Sequence, residues 1–134
     1  MRAAMLLMFL GFAVTPQAKP QDIIGDFTRS SSEHIINVID QPFVVRSVVG
    51  LILLHIEGEP LTGVLFEIQG LDTDRKIRRC KTDSKGRFKM GHVPQGTYRF
   101  KATLNGFQSE MGTITVSKKA AKGSEIKIEM PVGV

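Results

Sequence analysis

Apolar and polar positions alternate one for one along much of the chain. Phe88 and Met90 alternate with Arg87 and Lys89, and Tyr98, Phe100, Ala102 and Leu104 with Arg99, Lys101 and Thr103. Ile126, Ile128 and Met130 alternate with Glu125, Lys127 and Glu129, and Val64, Phe66 and Ile68 with Leu65, Glu67 and Gln69. A period of two sends successive side chains to opposite faces, so each segment predicts a strand buried on one face. Ile77–Thr82, with Cys80 and Thr82 inward, and Thr113–Val116 read as two more strands. Ser47–Ile56 is different: its apolar run is continuous, which predicts a strand covered on both faces. With Gly50, Ile52, Leu54 and Ile56 toward the core, Val49, Leu51, Leu53 and His55 point away. Residues 35–45, or a partner, are expected to cover that second face.

Turn residues fill the breaks. In Asp83-Ser84-Lys85-Gly86 the Asp side chain can bond backbone two residues on, and Gly86 takes positive φ at low cost. Glu57–Gly63, Gly91–Gly96 and Asn105-Gly106 are further connections, Gly70–Lys76 is a polar loop, and Phe107 anchors the turn before it. Gly63 relieves backbone in its turn. Gly96-Thr97-Tyr98 has the form of a tyrosine corner, in which a buried ring returns its hydroxyl to backbone a few residues upstream. Seven strands at this spacing predict an all-β fold, a seven-stranded antiparallel Greek-key β-sandwich.

The 134 residues suit one domain, and the single cysteine rules out an intrachain disulfide. Arg2 followed by the uncharged, mostly apolar run Ala3–Val14 and by Thr15-Pro16-Gln17-Ala18 has the layout of an export signal. The expected organisation is a signal peptide over 1–18, an N-terminal extension over 19–46 and the sandwich over 47–134. No second apolar run is long enough to span a bilayer, so the mature chain is expected to be soluble.

Five pieces now stand in order: Gly50-Leu51-Ile52, Glu57–Val64, Thr82–Phe88, Val93–Tyr98 and Asn105-Gly106-Phe107. Together they resemble the carboxypeptidase regulatory-like domain, over about residues 47–130. The resemblance implies a prealbumin-like (transthyretin-like) sandwich, a fold also classed as carbohydrate-binding-like. It further implies an accessory, non-catalytic role in secreted or surface proteins. Peptidase activity is not implied.

The candidate chemistry is sparse. His34, His55 and His92 share no short motif, so no metal site is expected. Asp72-Thr73-Asp74 could meet calcium, but Arg75 and Lys76 adjoin it, and a solvated loop is the simpler reading. Cys80 lies between Arg79 and Lys81, which would lower its pKa if it were exposed; a small inward core residue is the plainer reading. No cofactor and no catalytic constellation are expected. Arg87, Lys89, Arg99 and Lys101 all point outward, and would form one basic patch if their two strands pair as a hairpin. Such a patch attracts anionic polymers, although Lys and Arg also keep sheet edges soluble. Nucleic acid is disfavoured, because Phe88, Tyr98 and Phe100 are assigned inward and leave no stacking platform. With a net charge of +5, the expected function is an exported, non-catalytic binding or structural module. Its ligand is an envelope protein or a carbohydrate, met through Leu51, Leu53, the basic patch and the loops at Gly70–Lys76 and Asn105–Phe107. An oligomeric small-ligand carrier of transthyretin type is the alternative.

Overall fold

The computed structural model describes residues 27–30, 35–72 and 75–133. The expected export signal lies outside them, as do His34 and Thr73-Asp74. The strands are β1 (Ile36–Val38), β2 (Phe43–Val45), β3 (Val49–Leu54), β4 (Leu65–Gly70), β5 (Ile77–Lys81), β6 (Arg87–Lys89), β7 (Gly96–Thr103), β8 (Ser109–Val116) and β9 (Ile126–Met130). There is no helix among the described residues.

The seven strands β3–β9 supply the expected sandwich of two sheets. The larger sheet runs β1-β8-β7-β4-β5, with β2 also on β8, and the smaller runs β6-β3-β9. Pairing is antiparallel within β5-β4-β7-β8 and between β3 and β6. Three pairs are parallel: β3 with β9, and β1 and β2 with β8.

Alternation builds the core between the sheets. Phe66, Ile68, Phe100, Ala102 and Ile114 from the larger sheet meet Ile52, Phe88, Ile126 and Ile128 from the smaller, all buried. The Phe66 ring stacks on Phe88 at 4.2 Å and on Phe100 at 5.4 Å between centroids. Offset stacks at these spacings add to the gain from burial. Two glycines make room for the rings. A Cβ on Gly112 would stand 2.7 Å from the Phe100 ring, and one on Gly50 would strike the Ile126 carbonyl and the Phe88 ring.

Three expectations fail here. Residues 35–45 do not cover the outward face of β3. They extend the other sheet, as β1 and β2 on the free edge of β8, where unpaired backbone groups demand partners. Ile56 is not a core residue: the chain turns at His55–Glu57, and Ile56 is 84% exposed at φ +77°. Finally, β6 and β7 are not a hairpin. The Gly91–Gln95 connection carries the chain from one sheet to the other.

Candidate functional site

That crossing divides the expected basic patch. Arg87 and Lys89 stand on β6 of the smaller sheet, and Arg99 and Lys101 on β7 of the larger. On the outward face of the smaller sheet the register puts Val49 beside Lys89, Leu51 between Arg87 and Lys127, and Leu53 beside Glu129. Val49, Leu51 and Leu53 are half-buried and form an apolar row framed by charge. Arg87 Nη1 pairs with Glu125 Oε1 at 3.1 Å, and His55 Nδ1 lies 2.9 Å from Glu129 Oε1. A surface groove of about 390 Å³ follows the β6 flank, lined in part by Val49, Lys81, Arg87, Lys89 and Glu125.

Lys101 corrects the sequence expectation further. It is 0% exposed, and so is Glu67, its cross-strand neighbour. Arg79 lies opposite Glu67 on the other side, so cation, anion and cation form a row across β5, β4 and β7. The Arg79 Nε–H donates to Glu67 Oε2 at 2.7 Å. The segment Phe27–Ser30 closes this face: Thr28 contacts both Glu67 and Lys101, and Phe27 is 3% exposed. Sequence reasoning missed this cluster. No local signal sets Phe27–Ser30 apart within the extension over 19–46, which also holds Phe43 and several Ile and Val residues. Arg99 is half-buried on the same outward side of β7.

Where the β2–β3, β6–β7 and β8–β9 connections meet there is a second cleft, of about 570 Å³. Arg46, Lys89, His92 and Lys118 line it, and no carboxylate does. Arg46 Nε–H donates to Ala120 O at 2.7 Å, and Gln95 Oε1 accepts from the Lys118 amide at 2.9 Å. Of the two candidate loops, the one at Asn105–Phe107 is held down. Asn105 Oδ1 accepts from Ser30 Oγ at 2.7 Å, and the half-buried Phe107 packs against the core. Asp72 in the other loop is exposed.

The turn and corner residues have geometry that accounts for them. Asp83 Oδ1 accepts the Lys85 and Arg87 amides at 2.8 and 3.0 Å, and these bonds hold its carboxyl below the usual range. Gly63 and Gly86 take positive φ, at +79° and +75°. The Tyr98 hydroxyl donates to Pro94 O at 2.6 Å, and Gly96 is the first residue of that strand. Cys80 packs against the core, and burial pushes its thiol up to about 11. A thiol in that state is a poor nucleophile at neutral pH. Among the described residues no three His, Cys, Asp or Glu side chains are grouped to hold a metal ion. None of the described aromatic rings is exposed, and no described helix is long and apolar enough to cross a membrane.

The family model of the carboxypeptidase regulatory-like domain matches residues 47–130. No curated protein sequence matches the chain. Among solved structures, 3-chlorocatechol 1,2-dioxygenase from Rhodococcus opacus 1CP aligns with a TM-score of 0.49 at 12% identity, over 87% of this chain and 70% of that one. Catechol 1,2-dioxygenase from Pseudomonas arvilla C-1 aligns with a TM-score of 0.46 at 11% identity, over 78% of this chain and 60% of that one. A chain of the type II cohesin–X–dockerin complex from Acetivibrio cellulolyticus aligns with a TM-score of 0.38 at 19% identity, over 66% of this chain and 53% of that one. Likeness at these levels carries no activity or ligand over to this chain.

Proposed function

Because the chain belongs to the carboxypeptidase regulatory-like domain family, we propose that it serves as an exported, non-catalytic binding module whose ligand is a protein of the cell envelope. One observation carries this reading: the apolar row Val49, Leu51 and Leu53 on the outward face of the smaller sheet, framed by Arg87, Lys89, Lys127 and Glu129. An apolar centre with a charged rim is the anatomy of a protein-binding surface. A neutral sugar would be better met by an exposed aromatic platform, and no described ring is exposed. Export rests on the Arg2 and Ala3–Val14 pattern.

A binding screen against neutral and acidic polysaccharides at low and high salt tests the choice of ligand class. The proposed reading expects no retention on neutral polymers. It expects retention on acidic ones to vanish at high salt, because exposed cations are screened there. Glycan binding that survives high salt would replace the protein ligand with a carbohydrate.

A further inference from the structure

Glu67 and Lys101 lie at mid-strand on the outward face of the larger sheet, yet both are 0% exposed. Burying a charge is costly unless groups are placed to meet it. Here both meet the same residue. Glu67 Oε1 accepts the Thr28 amide at 2.9 Å, and its Oε2 accepts the Thr28 hydroxyl at 2.9 Å. Lys101 Nζ donates to Thr28 O at 2.8 Å. Arg79 Nε steadies the carboxylate at 2.7 Å. One residue of a short segment is thus gripped at its amide, its carbonyl and its hydroxyl by two charges of opposite sign. Charge-assisted hydrogen bonds of this kind are about twice as strong as neutral ones. On either side, Phe27 is 3% exposed and Ser30 Oγ donates to Asn105 Oδ1.

We infer that this outward face is a peptide-reading site for an aromatic–threonine segment, filled in cis by Phe27–Ser30, and that a second copy of the chain can fill it in trans with the same segment. The segment is an addition to the fold. It precedes the family-matched region 47–130, and the main core includes no residue before Ile39. Thr28 meets Glu67 and Lys101 through its own amide, hydroxyl and carbonyl, so these contacts form whichever copy supplies it, which is the condition for exchange between protomers. The cis segment holds the advantage of high effective concentration. Exchange therefore rises with protein concentration, and an added native peptide binds better when the chain's own segment is weakened.

The test uses the full chain and a blocked, labelled peptide of residues 24–30, Ile-Gly-Asp-Phe-Thr-Arg-Ser. A Phe27→Ala/Thr28→Ala double variant binds this peptide at least about tenfold more tightly than wild type does, by fluorescence anisotropy. A peptide carrying Thr28→Val binds that variant at least about tenfold more weakly than the native peptide. At rising concentration the wild-type chain forms a dimer by light scattering, and excess peptide dissolves it. A second readout needs no protein variant. Excess native peptide, unlike the Thr28→Val peptide, speeds hydrogen exchange at the Thr28 amide of the wild-type chain. A folded double variant that ignores the peptide, or equal exchange with both peptides, overturns the site. A wild-type chain that stays monomeric at every concentration overturns the second copy as occupant.

Discussion

Ile56 sits at φ +77° with 84% of its surface exposed. A β-branched side chain in the left-handed region clashes with its own backbone, and here no burial offsets the cost. Asn tolerates that region, so Ile56→Asn stabilises the fold by about 1 kcal/mol, read as a higher denaturant midpoint at unchanged slope. Glu110 gives a pH signature. It is 6% exposed on β8, where Asn37 Nδ2 of β1 donates to it at 2.7 Å. Burial pushes its carboxyl up to about 7 from 4.5, against the Asn37 bond and the charge of His55. A folded-state pKa above the unfolded one means that the folded chain holds the proton longer. This group therefore costs nothing below pH 4.5, and its cost grows as the pH rises to about 7 and then levels off. Thermal melts across that window show stability falling as the pH rises, and Glu110→Gln removes this part of the slope. A variant with an unchanged slope would mean that Glu110 ionises as freely in the fold as outside it.

At the scale of elements, alternation read β4, β6, β7 and β9 from the sequence, because apolar residues alternate with polar ones in each; β6 and β9 expose the polar face, whereas β4 and β7 bury most of theirs. It read β8 only in part. Thr113–Val116 stood out, while Ser109–Gly112 did not, because that stretch holds a buried Ser, a buried Glu and a Gly. Gly112 is there because the Phe100 ring occupies the place of a Cβ, at 2.7 Å. Gly112→Ala must displace that ring and destabilises by about 1–3 kcal/mol in urea unfolding, as overpacking of a filled core does. A neutral result would show that the ring has room to move. Periodicity also fixes the face of a strand without fixing its sheet, which is why β6 and β7 looked like partners. Nor does an outward face mean an exposed one: Lys101 is outward and sealed by Phe27–Ser30. No local pattern in the sequence announces a cover that arrives from 73 residues away.

For the whole molecule, the sequence shows a net charge of +5, and the fold distributes that charge unevenly. Lys101 and Glu67, the latter paired with Arg79, bind the segment Phe27–Ser30 to one sheet. Arg87, Lys89 and Lys127 frame the apolar row on the other. The tyrosine corner and the Asp83–Gly86 turn were legible because their chemistry is local. The proposed partner-facing surface was legible at Leu51, Leu53, Arg87 and Lys89 but not as one framed row, because the frame depends on which strands become neighbours. The central claim is that this row receives a protein. In-cell photo-crosslinking from position 51 tests it most directly, with the exposed loop position Glu57 as control. The account predicts a discrete protein adduct from position 51 and none from position 57. It also predicts loss of that adduct with Leu53→Asp at an unchanged melting temperature. No protein adduct from position 51, or an equal one from position 57, would contradict it.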